Sequence, residues 1–308
     1  MRSVLLSLVL LSSFQTVQSQ VSDTLVEIKH HQRPAQIFIM DSQSYVYPKP
    51  KPFAFVTSIP RTFKRVGKES FQRKSVKPWL LIAGSTAAMW AFDQHITDGV
   101  QQFSRHINLD NSRKYIDIID FNLGKMNVDV YQAPDNLNTA IYTIGEGMPP
   151  VLISAGLVLH GLIKKDYRSL STASQIMQGL VAMGITTQAI KRMTGRESPF
   201  QSTQIRGKWT PFQSLKTYQQ AVSKYDAFPS GHMGTMMTTT VILADNYPEK
   251  RWIGPVGYSV MAIVGLSMIN NGVHWASDYP LAIGMGYVFG KVTVKINRWI
   301  RHDEKGKR

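Results

Sequence analysis

The chain has 308 residues, enough for one large domain with an attachment or for two small domains, and its 43% hydrophobic content is that of an ordinary globular protein. Thirty-five Lys and Arg against 20 Asp and Glu give a formal charge of +15, which suits anionic partners such as phosphoesters, lipid headgroups or an acidic membrane surface. The basic residues are scattered and no nucleic-acid-binding motif accompanies them, so nucleic acid is not expected as a partner. With no cysteine, disulfides, thiol nucleophiles and thiolate metal sites are excluded together.

The N-terminus reads as an export signal. Arg2 precedes an apolar run from Val4 to Leu11, and Val17 and Ser19 occupy the −3 and −1 positions of a cut before Gln20. The run is too short to span a bilayer, so residues 1–19 are expected to be a cleaved signal peptide and the mature chain to be exported to the periplasm or envelope. Residues 20–76 read as an extended linker: Tyr47-Pro48-Lys49-Pro50-Lys51-Pro52 favours polyproline geometry, because alternate prolines fix φ and cannot donate. The basic cluster at Arg61, Lys64, Arg65 and Lys68 reads as a solvated face, and His30-His31 as surface residues.

From Lys77 the character changes. The uncharged run Trp79 to Phe92 predicts a buried helix, and residues 93–138, polar and mixed, predict short amphipathic helices and loops. Helical apolar runs follow at about 139–163, 169–190, 231–245, 252–271 and 276–297, with no competing period-two alternation. The expected fold is therefore all-α, a bundle of about six core helices over residues 77–300, followed by a basic tail at 301–308. Basic residues fall at both ends of these runs and define no cytoplasmic side. Glu146, Gln178 and Asn270-Asn271 interrupt the runs, and the mean hydropathy is −0.14. Both features favour an exported globular domain resting on a membrane over a spanning one.

Three pieces carry the chemistry: Lys191-Arg192-Met193-Thr194-Gly195-Arg196-Glu197-Ser198-Pro199, Phe228-Pro229-Ser230-Gly231-His232, and Ser267 to Asp278 with His274 between them. Ser230 before an apolar helix is a candidate N-cap. Gly231 beside it lets the backbone approach a ligand at a helix start, where free N–H groups bind anions. His274 and Asp278, four apart, fall on one face if the turn is helical, and a carboxylate on one imidazole nitrogen frees the other to attack. Asp278 before Tyr279-Pro280 is equally a helix cap, and both roles are expected.

In order and spacing the three pieces resemble the signatures of the type 2 phosphatidic acid phosphatase (PAP2) family, which also includes bacterial acid phosphatases and vanadium haloperoxidases. That pattern is Lys, six residues, Arg-Pro; Pro-Ser-Gly-His; and Ser-Arg, five residues, His, three residues, Asp. The resemblance covers about residues 140–295. It implies that His274 forms a phosphohistidine, Asp278 orients it and His232 protonates the leaving alcohol. It further implies that Lys191 and the amides of Ser230 and Gly231 hold the phosphoryl group, with no cofactor needed for hydrolysis.

Two positions depart from the pattern, with Ser198 and Met268 where the family has arginine. Losing one such transition-state donor costs about 10²–10³ in rate, and neither replacement brings a charge. Arg196, with Arg192, is the expected substitute in phosphate binding, and Asn270 and Asn271 are possible neutral donors. Two readings follow: an exported phosphatase acting on a phosphomonoester, including a lipid phosphate, with weakened activity, or a catalytically silent relative that binds an anion or headgroup. A haloperoxidase trails both, since vanadate needs at least as much positive charge.

Overall fold

The computed structural model describes residues 21–22, 33–40, 43–123 and 126–301, with side chains described outside 21–22, 117–132 and 301. The signal-peptide segment, His30-His31 and all of the basic tail except Arg301 lie outside these residues. In chain order come β1 (Val21–Ser22), β2 (Ala35–Met40), β3 (Gln43–Pro48), α1 (Ala54–Thr57), α2 (Ile59–Ser70), α3 (Val76–His106), β4 (Tyr115–Leu123), β5 (Met126–Pro134), α4 (Leu137–Ile144), α5 (Met148–Ile163), α6 (Tyr167–Thr194), α7 (Leu215–Gln220), α8 (Gly231–Asn246), α9 (Ile253–Asn270), α10 (Tyr279–Asn297) and β6 (Trp299–Arg301).

The helical core is the expected one. Each apolar run became a helix, and most of the starts are set by a recognisable residue. Asn136, Asp166 and Ser230 accept from the amides of Thr139, Ser169 and Met233, and prolines stand in the first turns of α5 and α10. At the centre α8 packs on α10. A Cβ on Gly286 would meet the carbonyl oxygen of Gly234 at 2.6 Å, so only glycine there lets the two backbones approach. The main apolar cluster joins Tyr142 of α4, Met233, Met237 and Val241 of α8, Met261, Val264 and Met268 of α9, and Ala282 of α10.

Three stretches differ from expectation. The third helix is not buried over Trp79–Phe92, where Leu80, Leu81 and Phe92 are exposed, and it continues to His106, with Asp93, Thr97 and Ser104 turned inward. Strands β4 and β5 pair as a two-stranded antiparallel sheet where amphipathic helices and loops were expected. The described part of residues 20–76 is not a free extended linker. Strands β2 and β3 pair antiparallel and β6 adds to β3, tying the N-terminal region to the chain's far end. The Tyr47 hydroxyl donates to the Asn246 carbonyl at the end of α8, and Ile59, Phe63 and Val66 of α2 pack against the Met285 and Phe289 face of α10. Lys64, Arg65 and Lys68 lie on the opposite face of α2, and Arg65 pairs with Glu69. Strands this short carry too few positions for alternation to stand out.

Arg168 locks this end of the bundle. Its guanidinium, buried, grips both oxygens of Glu249 at 2.7 and 2.8 Å, donates through Nε to the Asn246 carbonyl and lies 4.0 Å over the Tyr247 ring. Elsewhere the bundle is apolar on the outside. Leu80, Leu81 and Phe92 of α3 and Leu152, Leu159, Leu162 and Ile163 of α5 are exposed, as are Val256 and Ile263 of α9. Among the described residues α9 is the one helix long and apolar enough to cross a membrane, and α4 with α5, bent by 55°, passes the same test only as a pair.

Candidate active site

Four chain ends meet at one end of the bundle: the last turn of α6, the start of α8, the end of α9 and the turn before α10. Helix α6 ends at Gly195, whose φ of 58° and N–H to the Lys191 carbonyl make a left-handed cap. A Cβ there would stand 1.9 Å from the Thr210 carbonyl oxygen, so glycine is required twice over. The cap sends the chain back across the bundle end, where the backbone of Arg196 bridges to Trp209 and Asp226. A cis Phe228–Pro229 bond leads into α8.

The two imidazoles converge. The rings of His232 and His274 stand edge to face with centroids 5.8 Å apart, although 42 positions separate them in the chain. His274 is buried, and its Nδ1 lies 3.3 Å from Asp278 Oδ2, which leaves Nε2 on the other side of the ring. Asp278 is fully buried and makes no capping bond into α10. Its Oδ2 instead accepts the Trp275 amide at 2.8 Å, and its Oδ1 faces Arg196. Of the two expected roles the cap on α10 is not made, because the carboxylate is taken up by the Trp275 amide, Arg196 and the His274 ring.

His232 sits in the first turn of α8, partly buried, with the Tyr142 ring 4.8 Å away. Burial pushes its imidazole down to about 3, and the charges of His274, Lys191 and Arg113 push the same way. Lys191 is buried, and its Nζ is 3.2 Å from Asp226 Oδ2.

The expected phosphate contacts are redistributed. The Ser230 hydroxyl is the N-cap of α8, accepting from Met233, but its amide donates to the Asp278 carbonyl at 3.0 Å and is not free to hold a phosphoryl oxygen. The space above Gly231 is open, with nothing within 4 Å of where a Cβ would be. Arg196 is fully buried and does other work: its guanidinium donates at 2.6 Å to Asp278, at 2.6 Å to Asp93 and at 2.7 Å to Ser277, and it lies between the rings of Trp209 and Trp275. With both flanking carboxylates in hand it has no reason to turn to an anion. Arg192 stacks 3.7 Å over the Tyr218 ring instead. Asn270 donates to the Asp110 carbonyl, and Asn271 turns its amide to the carbonyls of Met268 and Ser267.

The two substituted positions are both buried. Met268 lies in the main apolar cluster, and Ser198 is fixed through its amide to the Ser223 carbonyl. Two contributors were missed by sequence reasoning. Asp93, one carboxylate at the end of an uncharged run, accepts from both Ser277 and Arg196 and so braces the turn that carries Asp278. Arg113, in the loop before β4, holds its guanidinium 5.7 Å from the Tyr142 ring centre, over the ring that flanks His232. The isolated charge in Trp79–Phe92-Asp93 was a usable signal for the first; nothing local marked the second.

Comparison with known proteins places this end of the chain. An 82-residue stretch is 30% identical to the lipid A 1-phosphatase of Porphyromonas gingivalis, covering 26% of this chain and 18% of that protein, so the chain spans under a fifth of that relative's length. A transmembrane PAP2 type phosphatidylglycerolphosphate phosphatase from Bacillus subtilis superposes with a TM-score of 0.43 at 17% identity, over 77% of this chain and 99% of that one. Residues 173–301 match the model of the PAP2 superfamily. That segment, under half of the chain, contains Lys191, the Pro229-Ser230-Gly231-His232 turn and the His274–Asp278 pair, and over it the chain is similar to the PAP2 superfamily.

Proposed function

We propose that the protein is an exported phosphatase that hydrolyses a phosphomonoester carried on a lipid. The observation that carries this reading is the facing pair His232 and His274, 5.8 Å apart, with Asp278 behind the second ring. Asp278 holds the His274 Nδ1 proton, so the Nε2 lone pair is free to attack phosphorus. The Nε2–P bond forms as the ester P–O bond breaks, and His232 gives its proton to the departing oxygen. Water then attacks the phosphohistidine, His232 takes the water's proton, and phosphate leaves. In the empty site His232 is neutral; a phosphate dianion between the imidazoles and Lys191 raises its affinity for the proton it must donate. The open side above Gly231, next to Arg113, is the entrance. Arg113 supplies from another element a guanidinium that positions 198 and 268 lack.

A lipid-borne substrate fits the outer surface of the bundle. The exposed apolar side chains of α3, α5 and α9 would seat the protein against acyl chains. The named activity of the Porphyromonas gingivalis relative is of the same class. The test is hydrolysis of an aryl phosphate and of a lipid phosphate by the purified protein beside His274→Ala, with activity expected in the first and lost in the second.

A second reading, a silent anion-binding relative, draws on two observations. Met268 is sealed in the apolar cluster, and Lys191 is partly neutralised by Asp226. It is supported if His274→Ala leaves any measured hydrolysis unchanged while phosphate still binds.

A further inference from the structure

At the opposite end of the bundle lies a cavity of about 340 Å³ with a different character. Its rim carries Arg33, Lys49, Arg61 and Lys295, and its floor is the first turns of α6 with Ser171, Ser174 and Gln175. No carboxylate lines it. Lys295 is held 3.1 Å from Glu69, outside the cavity, and Lys49 sits 5.9 Å from the Tyr167 ring centre. Arg33 and Arg61 have no carboxylate partner among the described residues. Ser58, on the same wall, precedes α2 and makes no side-chain cap bond to it. Clustered like charges around a concave space repel one another unless an anion enters, and two guanidinium forks with hydroxyl donors match phosphate oxygens. Along α6, residues 171 and 191 are about 30 Å apart at a rise of about 1.5 Å per residue, so this cavity is separate from the catalytic cup.

We propose that this cavity is a second anion site that takes the phosphate of a phosphoester, from either a phospholipid headgroup or a free phosphate ester. The volume is at the lower end of small-ligand sites, matched to a headgroup rather than to a nucleotide. The site joins the N-terminal hairpin, α2, α6 and the C-terminal strand, so its ligand would clamp chain ends that are otherwise held by short strands.

The experiment is arginine modification of the full chain by phenylglyoxal, read by peptide mapping at Arg33 and Arg61. Three additions are compared at equal ionic strength: glycerol phosphate, vesicles of phosphatidylcholine with phosphatidylglycerol, and vesicles of phosphatidylcholine alone. Protection by glycerol phosphate identifies a soluble ester as sufficient; protection by the anionic vesicles alone identifies a lipid headgroup. In Arg33→Gln with Arg61→Gln, binding of the protecting ligand, read by equilibrium dialysis or vesicle sedimentation, is expected to weaken about tenfold or more, the worth of one charge-assisted hydrogen bond. Its melting temperature and aryl phosphate hydrolysis should stay those of the parent. Equal modification in every arm, or equal protection by sodium chloride, overturns the proposal. Because the readout is local to residues 33 and 61, it stands or fails independently of activity at His274.

Discussion

Arg196 and Asp278 form a fully buried ion pair at 2.6 Å, and the same guanidinium holds Asp93 at 2.6 Å on its other side. The residue expected to grip substrate is instead the keystone that fixes the carboxylate behind His274. Replacing Arg196 by Ala strands two buried carboxylates, a loss of about 3–5 kcal/mol. Arg196→Lys should recover little, because one ammonium cannot span both acids and Ser277. Thermal melting of both variants checks this; a Lys variant that melts with the parent would show the fork is not needed.

Asp93→Asn tests the same brace more gently. The amide keeps the shape but removes the charge facing Arg196 and turns a donor toward Ser277, which donates to Asp93 Oδ2 and through its amide to Oδ1. Hydrolysis should fall about tenfold or more through kcat, with KM little changed, since Asp93 touches the turn and not the entrance.

The His232 imidazole titrates near 6.5 in the unfolded chain and is held to about 3 in the fold. Between those values the unfolded state carries a proton that the native state refuses. Stability therefore falls as pH drops through the window from about 6.5 to about 3, and this contribution levels off below it. One pK unit is about 1.4 kcal/mol, so the effect is of order a few kcal/mol. The melting temperature of the parent should fall relative to that of His232→Gln as pH drops across that window. Parallel curves would show that His232 is not held neutral.

Arg113 is exposed, so its removal should leave the fold intact. Arg113→Ala is expected to raise KM for an aryl phosphate about tenfold, with the melting temperature unchanged, because it removes a cation at the mouth and not a core contact. An unchanged KM would place the guanidinium outside the substrate's reach.

Restoring the family's arginine at position 268 is not a simple repair. Met268 is completely buried among Tyr142, Met233 and Tyr279, so Met268→Arg forces a charge into hydrocarbon. The variant should melt well below the parent, whereas Ser198→Arg, at a site flanked by exposed Phe200, should be milder. Equal melting of the two variants would contradict this picture of position 268.

The helical core was legible because its apolar runs are long, uncharged and bounded by Asn136, Asp166, Ser230 and Pro280, each a strong local stop or start. His232, His274 and Asp278 were singled out by the resemblance of the three pieces, in order and spacing, to the PAP2 signatures. The roles of Arg196 and the Ser230 amide were not legible, because they depend on what α3 and the turn before α10 bring alongside. Asp93 comes from 103 positions before Arg196. The hairpins were hidden for another reason: β2 and β3 offer six residues each, and the prolines after them suggested a free chain when the Tyr47 hydroxyl was in fact anchored at Asn246.

The most direct measurement of the central claim is mass spectrometry of the protein quenched during turnover of a phosphomonoester, followed by peptide mapping. The account predicts one phosphoryl group on His274, trapped in larger amount in Asp278→Asn or His232→Gln if the second step is slowed more than the first, and absent in His274→Ala. A phosphoryl group on another residue, or steady turnover by His274→Ala, would contradict it.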